Sequence, residues 1–190
     1  MSRKAIIFGG AGQLGFEIQR EFAARGYTVF SYERSGVDIT DAAMVERVIA
    51  TSEAELVLNS AAYNMVDVAE NEPQAAYEVN ALAVRNMAVA CRQSGAKLVH
   101  FSTDYVFDGT KGSPYTEEDR PHPLNAYAVS KLCGELYARA YLDDLLIGNF
   151  MKVRLVNTKL YPRFTPLVAK IGAMLARIVS RNWPSRSAVK

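Results

Sequence analysis

Lys4-Ala5-Ile6-Ile7-Phe8-Gly9-Gly10-Ala11-Gly12-Gln13-Leu14-Gly15 begins as a short apolar run and ends as a glycine-rich turn. The apolar run reads as a buried strand. The segment after it, from Phe16 to Arg25, is amphipathic and reads as a helix. Strand, glycine turn and helix start follow in the order that dinucleotide binding needs. The spacing is Gly-x-x-Gly-x-x-Gly, at Gly9, Gly12 and Gly15. Gly9 permits the tight turn, Gly12 lets backbone amides approach a pyrophosphate, and Gly15 lets the helix pack closely. The helix N-terminus turns its positive end toward the phosphates. The competing reading is a glycine-rich strand–helix turn with no ligand; the surrounding pattern favours the nucleotide.

Outward from that turn the chain alternates strands and helices. Tyr27-Thr28-Val29-Phe30-Ser31-Tyr32 is rich in β-branched and aromatic residues and reads as a second strand. Glu33 and Arg34 end it. An acid there suits a ribose 2′-hydroxyl and an arginine a 2′-phosphate, so NADH and NADPH both stay open. Asp38-Ile39-Thr40-Asp41 leads into a helix from about Ala42 to Thr51, capped by Asp41 or Thr40. Leu56-Val57-Leu58-Asn59 is a third strand, and small residues follow it in Ser60-Ala61-Ala62-Tyr63. Residues 73–94 read as one helix, with Pro73 in its first turn and Gly95 as its stop. Asn80 inside it reads as a buried, satisfied amide. Lys97-Leu98-Val99-His100-Phe101-Ser102 is a fourth strand, with His100 structural. This alternation implies an α/β fold, a doubly wound parallel sheet of the Rossmann type.

Chemistry concentrates after the fourth strand. Thr103 stands at a strand's carboxyl end, where open α/β sheets hold ligands, and its hydroxyl could bond a substrate carbonyl. A long loop with Gly112, Pro114, Pro121 and Pro123 follows; its His122 has no evident partner. Asn125-Ala126-Tyr127-Ala128-Val129-Ser130-Lys131 then starts a helix with Asn125 as cap. Tyr127 and Lys131 lie one turn apart on one face. A phenol has a reference pKa of about 10, and a nearby ammonium is expected to lower it. Tyr127 is thus a candidate proton donor for carbonyl–alcohol chemistry. The bland alternative is a half-buried tyrosine with a snorkelling lysine.

In combination these motifs resemble the extended short-chain dehydrogenases. Thr103-Asp104-Tyr105-Val106-Phe107-Asp108-Gly109, with Val66-Asp67-Val68-Ala69-Glu70 before it and Pro123-Leu124-Asn125-Ala126-Tyr127 after it, is similar to dTDP-4-dehydrorhamnose reductases. The resemblance covers about residues 4–142. It implies Tyr127 as proton donor, Lys131 tuning it and binding the nicotinamide ribose, and Thr103, with Asp104, at the substrate. It implies that Gly9, Gly12, Gln13, Leu14, Gly15, Asp38, Ile39, Ala61, Ala62 and Tyr63 line an NADPH or NADH cofactor, with no metal. The implied substrate is a nucleotide-linked 4-keto sugar, dTDP-4-dehydrorhamnose. The second candidate is a non-catalytic regulatory subunit resembling the methionine adenosyltransferase beta subunit, against which the intact Thr103, Tyr127 and Lys131 speak.

Bulk properties agree with a globular cytoplasmic enzyme, with room for a homodimer. Hydrophobic content is 49% and charged content 22%. No apolar run approaches a membrane span, the N-terminus is not a signal peptide, and Cys91 and Cys133 suggest reduced thiols. Neither nucleic acid nor membrane is an expected partner. Charge divides the chain, however: residues 1–144 hold 13 Lys/Arg and all 20 Asp/Glu, and residues 145–190 hold 9 Lys/Arg and no acid. Residues 1–150 therefore read as the dinucleotide-binding domain, and 151–190 as a basic segment with one amphipathic helix and an incomplete substrate domain. The expectation is a truncated or frame-shifted end. Met151-Lys152-Val153-Arg154 is read as the strand after the Tyr127 helix, and Leu160-Tyr161-Pro162 as a distant echo of the family's next turn.

Overall fold

Residues 3–116, 118–149 and 152–154 are described by the computed structural model of the chain. Strand β1 is Lys4–Phe8, followed by α1 (Gln13–Ala24) and β2 (Thr28–Tyr32). Helix α2 (Ala42–Ser52) leads to β3 (Leu56–Asn59). Two short helices follow, α3 (Val66–Ala69) and α4 (Pro73–Tyr77). A π-helical turn, Glu78–Leu82, joins α4 directly to α5 (Ala83–Ser94). Then come β4 (Lys97–Ser102), a 3₁₀ turn (Asp104–Val106), α6 (Ala126–Tyr141), β5 (Leu145–Asn149) and β6 (Lys152–Arg154).

The sheet order is β2-β1-β3-β4-β5-β6. The first five strands pair in parallel, and β6 turns back antiparallel on β5. The doubly wound Rossmann-type sheet expected from the sequence is therefore present. Order reverses between β2-β1 and β3, so the carboxyl ends of β1 and β3 flank a crevice where such sheets bind ligands. The strand after the Tyr127 helix is Leu145–Asn149, earlier than expected from the sequence; Lys152–Arg154 is the returning strand. The reason is the short link after α6, which lets the chain enter the sheet beside β4 at once. The expected amphipathic helix at residues 166–180 and the echo at Leu160-Tyr161-Pro162 lie outside the described residues.

Both faces of the sheet are covered, which explains β1's unbroken apolar run. Ile6 and Phe8 face a core shared with Val45 and Ile49 of α2, Val84, Met87 and Cys91 of α5, and Ala138 of α6. Ala5 and Ile7 face the opposite core, with Ile18 and Phe22 of α1 and with Leu58, Val99 and Phe101. Helix starts follow the sequence signals. Asp41 Oδ1 accepts from Met44 N–H at 3.0 Å, and Asn125 Oδ1 accepts from Ala128 N–H at 2.7 Å. Gly95, at φ +75°, ends α5.

Candidate active site

The phosphate turn is built by backbone crowding. Gly9 has φ +83°, and a Cβ there would lie 2.5 Å from Ala61 N. A Cβ on Gly15 would lie 2.2 Å from Gly9 O and 2.8 Å from Gly10 Cα. Gly15 thus packs against the turn itself rather than against the sheet. Gly10 is also closely packed, though spacing alone did not single it out: a Cβ there would meet the Ser31 hydroxyl, which would have to turn aside. Gly12 is different, because its Cβ would meet only Gly9 O, at 3.3 Å. Gly12 is also the N-cap of α1 and supplies no side-chain cap. The first helical bond runs from Phe16 N–H to Gly12 O at 2.9 Å. Amides of Gln13, Leu14 and Gly15 therefore start the helix without a side-chain cap, beside the least crowded glycine of the turn. This cradle fits a dinucleotide pyrophosphate.

The neighbouring strand end is clamped from three sides. Asn59 Oδ1 accepts from Ala61 N–H at 3.1 Å, and Ser60 Oγ donates to Phe8 O at 2.7 Å. Asn80 grips Tyr63 twice: its Oδ1 accepts from Tyr63 N–H and its Nδ2 donates to Tyr63 O, both at 2.9 Å. Ala62 lies exposed between these clamps. Asn80 is the satisfied buried amide expected from the sequence, but its setting in a π turn was not legible there. Asp38 Oδ1 accepts from Thr40 N–H and Oγ1 at 2.9 and 2.7 Å, and the first of these bonds holds its carboxyl below the usual range. Ile39 spends its side chain in the core, so only its backbone is available to a ligand.

On the other side of the crevice, β4 delivers Thr103 and α6 delivers Tyr127 and Lys131. Thr103 is buried and caps the 3₁₀ turn, accepting from Tyr105 N–H at 3.2 Å. Its hydroxyl donates to Asp104 Oδ1 at 3.3 Å and stands near enough to the Tyr127 phenol to act on it. Tyr105, half exposed, stands edge-on to Tyr127 with ring centres 5.9 Å apart. Thr103 and Tyr127 are therefore brought together at the sheet's carboxyl edge. Asp104 acts on Tyr127 through its charge.

One expectation is corrected: the Tyr127 phenol is raised rather than lowered, and Lys131 Nζ donates to Phe101 O at 2.6 Å. Burial raises the phenol, and the nearby Thr103 hydroxyl pulls it partly back. Lys131 is itself lowered to about 8 by burial. The Tyr127 helix is tied to the clamped strand end through Asn80, whose Nδ2 also donates to Ser130 Oγ at 3.0 Å. Ser130 Oγ donates in turn to Tyr127 O at 2.7 Å.

The histidines play no direct part. His100 Nδ1 lies 3.2 Å from Asn59 Nδ2, while burial, and then the Lys131 charge, hold the ring well below its ordinary pKa. Because Asn59 Oδ1 is engaged by Ala61 N–H, Asn59 Nδ2 donates and His100 Nδ1 accepts. His122 does have a partner: its Nδ1 lies 3.0 Å from Asp108 Oδ2. Asp108 also accepts from Thr110 and Tyr115, and these bonds hold its carboxyl well below the usual range.

Comparison with known proteins agrees with this arrangement. Residues 3–153 match the model of the RmlD substrate binding domain. The chain is 44% identical over 133 residues to a dTDP-4-dehydrorhamnose reductase of Burkholderia thailandensis, covering 70% of this chain and 44% of that protein. It is 37% identical over 146 residues to the Escherichia coli enzyme of that name, covering 75% and 48%. The solved dTDP-4-dehydrorhamnose reductase of Bacillus anthracis, in complex with NADP, aligns with TM-score 0.76 and 38% identity over 78% of this chain and 53% of that one. The chain thus spans about half the length of the relatives it matches. On the match to residues 3–153 and these identities, the chain belongs to the RmlD substrate binding domain family, together with the dTDP-4-dehydrorhamnose reductases.

Proposed function

We propose that this chain carries the cofactor-binding and proton-donating half of an NAD(P)H-dependent reductase acting on a nucleotide-linked 4-keto sugar, dTDP-4-dehydrorhamnose. The observation that carries the reading is the meeting of Thr103 and Tyr127 at the carboxyl end of β4, across the crevice from an uncapped glycine turn. The relatives' names supply the sugar and the choice of cofactors.

The bound nicotinamide supplies the hydride. The chain's residues do the rest. The amides of Gln13, Leu14 and Gly15 would hold the pyrophosphate, with Gly9 and Gly12 keeping side chains out of its way. Ala61, Ala62 and Tyr63, with Asp38 and the Ile39 backbone, would line the nucleotide. Lys131 would reach the nicotinamide ribose. Thr103 and Asp104 would orient the keto group, and the Tyr127 hydroxyl would hand its proton to the carbonyl oxygen as that oxygen gains charge. A phenol whose pKa is raised by burial is fully protonated at neutral pH, which is the form a donor needs.

The test is calorimetric titration of the purified chain with NADPH and with NADH, followed by loss of nicotinamide absorbance on addition of dTDP-4-dehydrorhamnose. Binding of either cofactor is expected. No heat and no thermal shift with both at millimolar concentration would overturn the reading.

A further inference from the structure

Asn59 and His100 face each other across β3 and β4, in register and both fully buried. Asn59 Nδ2 lies 3.2 Å from His100 Nδ1. The oxygen of the same amide, Asn59 Oδ1, accepts from Ala61 N–H at 3.1 Å. A backbone N–H can only donate, so the atom turned to Ala61 is the oxygen and the atom turned to His100 is the NH₂ group. His100 therefore offers Nδ1 as a bare acceptor and carries its proton on Nε2. That Nε2 is buried and has no partner among the described residues. The ring thus holds Asn59 by one bond, and that bond decides which way round the amide stands.

The amide in turn holds the seam between the end of β3 and the phosphate turn. A Cβ on Gly9 would lie 2.5 Å from Ala61 N, so the two backbones touch. Ser60 is held separately by β1: its N–H and its Oγ both donate to Phe8 O, at 2.9 and 2.7 Å. Tyr63 is held separately by Asn80. Between them, Ala61 N–H depends on Asn59. If the amide turned over, its NH₂ would face Ala61 N–H, donor to donor. Its oxygen would face His100 Nδ1, acceptor to acceptor. Both buried bonds would be lost together, which is costly.

We propose that His100 is a positioning residue of the cofactor site: it acts through Asn59 to hold Ala61 N–H, and so fixes the end of β3 against the Gly9 turn. The proposal rests on the reading that Ala61, Ala62 and Tyr63 line the nucleotide, but the relay of bonds is tested apart from it. The contrasting role is packing, in which the ring only fills space in the core. Two substitutions separate these roles. Leucine keeps most of the bulk and removes the acceptor. Asparagine gives up bulk and sets an amide oxygen where Nδ1 stands, since both atoms lie one bond beyond Cγ.

The experiment uses the whole chain. In His100→Leu, amide hydrogen exchange at Ala61 is expected to quicken about tenfold, and NADPH affinity by calorimetry to fall about tenfold. His100→Asn is expected to restore both to within about threefold of the unaltered chain. Unchanged Ala61 exchange in His100→Leu overturns the proposal. So does faster exchange with unchanged affinity, which would leave His100 no part in the site. Equal losses in both variants overturn it as well, because they would mark the shape of the ring rather than its acceptor. ¹⁵N-histidine spectra of the unaltered chain test the premise without disturbing the core. The chain has two histidines, and His122→Gln tells them apart. A bare Nδ1 with the proton on Nε2 is expected for His100. A proton on Nδ1 overturns the proposal, whether or not the variants fold. If the unaltered chain binds neither NADPH nor NADH, the reductase reading fails, while Ala61 exchange and the His100 tautomer still decide the relay.

Discussion

Gly15 has no room for a side chain, and Gly12 has nearly enough, so the two should answer differently to alanine. Gly15→Ala drives a methyl into the Gly9 carbonyl and the Gly10 backbone. A loss of about 2 kcal/mol or more in stability is expected by thermal unfolding, together with loss of cofactor binding. Gly12→Ala should leave the melting temperature nearly unchanged and weaken cofactor affinity, as read by calorimetry. Tyr127→Phe should cost about 10²–10⁴ in kcat for a turnover-competent form while leaving cofactor affinity intact, because the phenol acts on the reacting oxygen.

Two buried bases also set a pH signature at this scale. Lys131 is lowered from 10.5 to about 8 in the folded chain, so the unfolded chain binds its proton more tightly. Stability should therefore rise as pH climbs from about 8 to 10.5. His100 is likewise depressed below 6.5, so its contribution is present above pH 6.5 and is lost as pH falls below it. Urea unfolding across pH 5–10.5 checks both arms; a flat profile would show that neither group is buried as described.

At the scale of elements, the π turn is the joint between the two halves of the site. Asn80 binds Tyr63 on one side and Ser130 on the other. A Cβ on Gly134 of α6 would lie 2.2 Å from Asn80 O, so α6 and the π turn approach at backbone distance. Gly134→Ala should push α6 away and shift Tyr127 relative to Ala61 and Tyr63. Its expected mark is a drop in kcat larger than its drop in cofactor affinity. Asn80→Ala should cost about 3 kcal/mol in stability, since it strands the backbone groups of Tyr63 and leaves Ser130 with one fewer partner. Chemical denaturation of both variants would measure this. Periodicity could find the helix over residues 73–94 but not the inserted π turn, because one extra residue in a turn leaves the apolar stripe nearly in place. Glycine at position 134 likewise looked like any tolerated helical glycine.

Across the whole molecule, the matched residues amount to about half of each reductase relative, and that half contains both the phosphate turn and the Thr103, Tyr127 and Lys131 group. Residues 1–150 of this chain, continued by the corresponding remainder of the Burkholderia relative, should reduce dTDP-4-dehydrorhamnose at a rate that Tyr127→Phe abolishes. A chimera that folds and binds NADPH yet stays inert would turn attention to the regulatory-subunit reading.

Local chemistry decided what the sequence could announce alone. The buried strands, the glycine turn, the caps at Asp41 and Asn125 and the Tyr127–Lys131 spacing depend on neighbours within a few residues, so each left a readable mark. Tertiary structure alone decided the partners that lie far apart in the chain. Asn80 reaches back to Tyr63 and forward to Ser130, fifty residues on. Glu135 meets Ser102, and Lys131 turns to the Phe101 carbonyl. Burial of the phenol reversed the shift expected for Tyr127, while a lysine's long stem can take its charge to any acceptor within reach. Which acceptor is nearest is set by the packing of α6 on β4.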